Sequence, residues 1–202
     1  MSYDNIEEKG RMSYFPAFLK LDDKKVLIVG GGRIAYEKLG HLLDFTSNIS
    51  IIAVELSDEM SGIIEGRHLH FEKRGYQKGD IKDFAIVIVA IDNIPLQAEI
   101  FQESKEYSCL CNCVDSLEYC DFIFPSYLKK DDLTIAVSTS GASPAVAKQL
   151  KKYLQRLIPS DIGEFLQEMK KLRESLPKGK ERMKMLETKA QDYFNNRSSK
   201  WM

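Results

Sequence analysis

Residues 26–43, VLIVGGGRIAYEKLGHLL, break an apolar run on three consecutive glycines and then resume with helix-forming composition. A glycine turn between a strand and a helix lets the bare backbone approach a phosphate, whose charge is favoured by the free N–H groups and dipole at the helix start. Gly30-Gly31-Gly32-Arg33-Ile34-Ala35 fits the pattern G-x-G-x-x-G/A, with Gly30 in the tight turn and Gly32 where a pyrophosphate would come close. Ala35 takes the third position, where a small residue lets helix and strand pack. The chemistry implied is dinucleotide binding, with Gly30, Gly31, Gly32, Arg33 and Ile34 as contacts. The acid that meets the ribose belongs about 20 to 25 residues on, and Glu55 is the carboxylate near that place, unless it is an ordinary solvated loop residue. Asp92, at the end of a later apolar run, either faces the same crevice or caps the next helix.

Other polar side chains offer less. Cys109, Cys111, Cys113 and Cys120 are crowded, and the first three alternate. In a strand they would share one face about 6.6 Å apart, too far for a disulfide between neighbours and too spread for one zinc. They read as small apolar residues of a buried strand in a reduced protein, with no metal site. His41 falls in a helix, and His68 and His70 alternate in an edge strand, so the histidines read as structural or exposed. Ser138-Thr139-Ser140-Gly141-Ala142-Ser143-Pro144 precedes another helix, and its hydroxyls and N–H groups can form an anion cradle. Lys148, Lys151, Lys152 and Arg156 follow on that helix, either as a local basic patch or as a solvated face.

These residues need a scaffold, and the apolar pattern supplies one. Residues 25–29 and 49–54 read as buried strands separated by a helix over 34–43, with Ile34, Leu39, Leu42 and Leu43 on its apolar face. Strand, helix, strand is a right-handed crossover. Further strands are expected at 68–73, 85–90 and 108–114, with a helix over 95–107 that Pro95 opens. Such alternation is the grammar of an α/β protein with a Rossmann-type, doubly wound parallel sheet. After Asp115 it changes. DFIFPSYL and LTIAVSTS are strand-like runs joined by the charged KKDD turn, and Pro144 then opens a helix carrying Val146, Leu150, Tyr153, Leu154 and Leu157. The remaining chain is charged and helix-forming, broken at Pro177-Lys178-Gly179. The expected division is a dinucleotide-binding domain over 1–115, a dimerisation and substrate-site region over 116–159, and a helical segment over 160–202.

Composition narrows the partners. With 29 Lys and Arg against 30 Asp and Glu in 202 residues, no global field suggests nucleic acid or an anionic membrane. No apolar stretch approaches the roughly 20 residues that span a bilayer. The polar start MSYDNIEEKGRM lacks the apolar core of a secretory signal, which points to the cytoplasm, and Met12 offers an alternative start.

VLIVGGGRIAYEK, VAIDN, CNCVDSLEYCDFIFPS and LTIAVSTSGASPAVAKQL, in this order and spacing, resemble the precorrin-2 dehydrogenase family, the N-terminal dehydrogenase and ferrochelatase module of sirohaem synthases. The likeness covers residues 15–159. It implies NAD-dependent oxidation of precorrin-2 to sirohydrochlorin, with ferrous iron inserted afterwards by some members, and a homodimer. On this likeness Asp115 falls on the catalytic aspartate, where it can take a proton as hydride leaves. Asn112, Thr139, Ser140, Gly141, Ser143 and Lys148 fall where a substrate bearing many carboxylates would be held. The sequence departs from the family pattern at Val54, generally proline, and at Gln97, often asparagine. The rival readings are a dinucleotide-sensing module without chemistry, a chelatase alone, and a structural dimerisation protein.

Overall fold

The computed structural model describes residues 14–198, so the polar N-terminal stretch and Met12 lie outside the described residues. Val26–Val29 (β1), Ile49–Ala53 (β2), His70–Lys73 (β3), Ile86–Val89 (β4) and Leu110–Cys113 (β5) form a parallel sheet in the order β3-β2-β1-β4-β5. Arg33–Leu43 (α1), Asp58–Arg67 (α2) and Ile94–Glu106 (α3) connect them. A strand inside a parallel sheet is covered on both faces, which is why VLIV and IVIV are buried throughout. Side chains alternate across such a sheet. Val26, Ile28, Ile86 and Ile88 accordingly pack with Leu39, Leu42, Met60 and Ile64 of α1 and α2, while Leu27, Val29, Val87 and Val89 pack on the other face with Ile100 of α3.

The apolar face of α1 differs from expectation at one end. Because the helix starts at Arg33, its inward row is Ala35, Leu39 and Leu42, and Ile34 is turned to solvent. Helix α2 escaped the sequence reading altogether. Gly62 and Gly66 dilute its pattern, and only Met60 and Ile64, one turn apart, are buried. Its ends are well specified: the Ser57 hydroxyl accepts the Met60 N–H at 3.2 Å, and His68 closes it in the left-handed region with φ of 53°. His68 therefore terminates a helix instead of joining the edge strand, which begins at His70.

Strand β5 forms the other edge. Its Cys111 N–H donates to the Asp121 carboxylate at 2.9 Å, Asp121 also pairs with Lys105, and Asn112 makes an antiparallel bridge to Cys120. Returning chain thus covers an edge that would otherwise invite pairing. Cys109, Cys111 and Cys113 lie in the core beside α3, all four cysteines are free thiols, and the sulfurs of Cys111 and Cys113 are 3.7 Å apart.

The chain separates into two compact units between Phe124 and Pro125. The second contains an antiparallel hairpin, Ser126–Lys130 (β6) and Leu133–Val137 (β7), turning at Asp131 with φ of 51°. Pro144–Leu157 (α4) packs on the hairpin, with Ala147 buried. Ile162–Ser175 (α5) and Lys180–Ser198 (α6) pair through the stacked rings of Phe165 and Tyr193, 3.8 Å apart, and through Lys189 and Glu168. Among the described residues, no helix is long and apolar enough to cross a membrane.

The core position of the cysteines makes them inert. Burial pushes the Cys109 thiol up to about 12, and the hydrogen bond that Cys111 shares with the Cys113 sulfur, together with burial, raises Cys111. The thiolate is the reactive form, so both stay protonated and slow at pH 7 to 8. Maleimide labelling should leave Cys109, Cys111 and Cys113 largely unmodified in the folded protein and reach all four after denaturation. Rapid labelling of three or more thiols in the native state would contradict this packing.

Candidate functional site

The C-terminal ends of β1, β2 and β4 surround a cleft of about 320 Å³, with Gly30, Gly31, Glu55, Arg74, Tyr76 and Asp92 among its lining. It sits where the strand order reverses beside β1, the place where open α/β sheets bind ligands. The three glycines differ in what requires them. Gly30 has φ of 120°, and a Cβ there would lie 2.2 Å from the Ala90 carbonyl oxygen. A Cβ on Gly31 would lie 2.1 Å from the Glu55 carbonyl oxygen. Both are demanded by the protein itself. A Cβ on Gly32 would meet nothing within 4 Å. The approach to the backbone is open there.

Gly32 is also the N-cap of α1, and no side chain caps that helix. By contrast Ser57, Asn93 and Ser143 cap α2, α3 and α4. The first turn of α1 therefore presents N–H groups that no side-chain cap satisfies, beside an open approach, which fits a pyrophosphate. Arg33 and Ile34 are exposed on that turn. Glu55 is exposed at the end of β2 and lines the cleft, as does Val54. Asp92 lines it too, and the capping role open to it belongs to its neighbour: Asn93 accepts the Leu96 N–H at 3.1 Å.

Asp115 follows β5 on a left-handed turn with φ of 64°, exposed to solvent. What holds this turn is Gln97, which is 2% exposed. Its Nε2 donates to the Ile91 carbonyl at 2.8 Å, and its Oε1 accepts the Ser116 hydroxyl at 2.6 Å. A buried amide thus ties the cleft wall after β4 to the residue following Asp115. The sequence marked Gln97 only as a departure from a family pattern, and the Ser116 hydroxyl nineteen residues on gave no signal of its own. Lys38 was also missed. It is half-buried on α1, with Nζ 4.2 Å from the centre of the Phe124 ring. Burial lowers its pKa, against the opposing fields of Glu37 and Asp115. Asn112 is buried, its amide donating to the Phe122 carbonyl at 2.8 Å and to the Cys120 sulfur at 3.4 Å.

In the second unit the loop before α4 is folded on its own hydroxyls. Ser138 accepts the Ser140 N–H, Thr139 accepts the Ser143 N–H, and Ser143 accepts the Val146 N–H, at 3.0 to 3.3 Å. These bonds hold Ser140 and Gly141 in left-handed conformations, with φ of 50° and 85°. The hydroxyl oxygens are used as acceptors, and their protons are the donors left for an anion. Lys148 and Lys152 are exposed on α4, whereas Lys151 turns toward the hairpin with Nζ 5.7 Å from the centre of the Tyr127 ring. Among the described residues no group of three or more His, Cys, Asp or Glu is assembled for a metal ion.

A glycine turn, an uncapped helix start and a switch-point cleft define a dinucleotide-binding α/β protein. A family model described as "Putative NAD(P)-binding" matches residues 17–126, and one described as "Sirohaem biosynthesis protein central" matches residues 130–157. The chain belongs to this NAD(P)-binding family. It is 34% identical over 154 residues to siroheme synthase 1 of Serratia proteamaculans, covering 76% of this chain and 32% of that one. With the siroheme synthase of Methylococcus capsulatus it shares 34% over 163 residues, covering 81% and 34%. The chain spans about a third of the length of these relatives. In fold it is similar to a solved structure titled SirC, precorrin-2 dehydrogenase, with a TM-score of 0.71 and 22% identity over 87% of this chain and 88% of that one.

The glycines give a paired test. Gly32→Asp should abolish measurable dinucleotide binding by calorimetry, because it puts bulk and negative charge in the open approach. Its melting temperature should hold or rise, since Asp is a good N-cap. Gly31→Ala should instead lower stability, through the 2.1 Å clash with the Glu55 carbonyl. Unchanged dinucleotide affinity in Gly32→Asp would remove the turn from the site.

Proposed function

We propose that this protein catalyses the NAD-dependent oxidation of precorrin-2 to sirohydrochlorin in sirohaem synthesis, in the cytoplasm and as a homodimer. The observation that carries the reading is Asp115, an exposed carboxylate at the end of β5 whose neighbour Ser116 is tied by buried Gln97 to the wall of the dinucleotide cleft. Bound NAD supplies the hydride acceptor. Gly30, Gly31 and Gly32, with Arg33 and Ile34, would hold its pyrophosphate, and Glu55 the adenosine ribose. Asp92 stands on the cleft wall after β4.

Asp115 acts as the general base, taking the proton that must leave the substrate along with the hydride. Lys38, half-buried on α1, lies within the field of that carboxylate. The substrate carries many carboxylates, and we assign their recognition to the hydroxyl protons of Thr139, Ser140 and Ser143, the left-handed backbone at Gly141 and the charge of Lys148. Asn112, in the first unit, is assigned to the substrate as well, and its amide is held by the Phe122 carbonyl. The matched sirohaem central region, residues 130–157, contains this loop and α4. For the dimer, the support is an apolar stripe on α4, where Val146, Leu150 and Tyr153 are 56%, 42% and 52% exposed at helical spacing.

General-base assistance typically contributes about 10² to 10⁴ in rate, so Asp115→Asn should lower turnover with precorrin-2 by that order under anaerobic conditions. Asn tolerates the left-handed turn, so the fold and NAD affinity should persist. Parent-level turnover in this variant would make Asp115 structural. The same assay with sirohydrochlorin and ferrous ion measures iron insertion. Sedimentation at micromolar concentration should give about twice the 23.1 kDa chain mass, and Leu150→Glu should give a single chain. A parent protein that sediments as one chain would refute the dimer.

A further inference from the structure

The wall of the cleft beyond β3 is a loop that no glycine motif marks. Arg74, Gly75 and Tyr76 line it, facing a cleft that Glu55 also lines. Two groups at the adenosine end of such a cleft decide between dinucleotides. A carboxylate after the second strand receives a free ribose 2′-hydroxyl, and a nearby arginine accommodates a 2′-phosphate. Both are present here, so the outcome depends on whether the charge of Arg74 is available.

It is already engaged. Nη1 and Nη2 of Arg74 fork onto the Asp80 carboxylate at 2.6 and 2.9 Å, Nε donates to Glu72 at 2.8 Å, and Nη1 also donates to the Gly75 carbonyl at 3.1 Å. A guanidinium has five N–H donors, and four are accounted for by these bonds. The loop is fastened as well. Asp80 accepts the Gln77 N–H at 2.7 Å, and buried Glu103 accepts the Tyr76 hydroxyl at 2.8 Å and the Gly79 N–H at 2.6 Å. Swinging Arg74 toward a ligand would break a bidentate pair and unpin this loop. The charged side chains lining the cleft are Glu55, Asp92 and Arg74, so a phosphate dianion would meet two carboxylates and a guanidinium already paired with Asp80 and Glu72.

We propose that Asp80 and Glu72 withdraw Arg74 from phosphate recognition, so that the cleft selects the dinucleotide with a free ribose 2′-hydroxyl and rejects the 2′-phosphorylated one. This deepens the assignment of NAD above and rests on its dinucleotide site. Arg74 thereby becomes a wall, and Glu55 is left as the group that reads the ribose.

The test is calorimetric titration of the full chain with NAD and with NADP, without tetrapyrrole. The parent should bind NAD at least tenfold more tightly. Glu72→Gln and Asp80→Asn each release part of the charge of Arg74, and a charge-assisted hydrogen bond to phosphate should then strengthen NADP binding by about tenfold while NAD changes little. Adding Arg74→Ala to Glu72→Gln should erase that gain. Glu72 is nearly half exposed, so its variant reports even where loss of Asp80 unfolds the loop. Equal affinity of the parent for both dinucleotides, or an unchanged ratio in folded Glu72→Gln, would overturn the proposal. Selective NAD binding without oxidation of precorrin-2 would sink only the earlier reading, whereas oxidation of precorrin-2 equally well with both dinucleotides would sink only this one.

Discussion

The cleft exists because the turn after β1 is squeezed between two carbonyl oxygens. Parallel pairing sets β1 in register with β2 on one side and β4 on the other, which brings the Glu55 and Ala90 carbonyls to within van der Waals distance of Gly31 and Gly30. No side chain fits at either position, and Gly30 also needs a left-handed φ. The chain then enters α1 at Gly32 without a side-chain cap, while the next three helices all have one. Packing thus fixes where the bare helix start lies. Of the three glycines in this turn, packing leaves only Gly32 open.

A second constraint works from the other side of β4. Gln97 is buried on α3, and an uncompensated amide there would cost about 1 to 3 kcal/mol for each group left unpaired. Its partners, the Ile91 carbonyl and the Ser116 hydroxyl, belong to the two loops that follow β4 and β5. The left-handed turn at Asp115 is therefore held by a hydrogen bond made one residue later. The carboxylate stays exposed and chemically available, while its backbone is fixed from the core.

Much of this was legible in the sequence because the signals were local. VLIV, IVIV and the glycine turn are contiguous, and their meaning depends on neighbours a few residues away. Helix α2 was not legible, because its two buried residues and two glycines give no periodic face, and its cap at Ser57 resembles any polar loop. Gln97, Lys38 and Arg74 were not legible as site residues for another reason: what each does depends on partners brought close only by the sheet, or, for Arg74, on a tight loop that turns it back onto Asp80. His68 shows the opposite case, where alternation with His70 suggested a strand although the left-handed backbone at 53° ends a helix.

The lining of the cleft also explains how an anionic cofactor can be held by a protein of nearly balanced charge. Its one cationic side chain among the described residues is Arg74, and the cleft carries two carboxylates, Glu55 and Asp92. In the reading proposed above, attraction for the pyrophosphate comes from backbone N–H groups and the helix dipole, whose partial charges are fixed in direction, with Arg33 exposed on the same turn. Such a device accepts any dinucleotide, because every one of them carries the same pyrophosphate. Discrimination has to arise elsewhere, at the ribose, and the side chains there are acids. Under the proposed reading affinity and selectivity fall to different parts of one cleft: the turn at the start of α1 draws the cofactor in, and the carboxylates beside the ribose decide which cofactor remains.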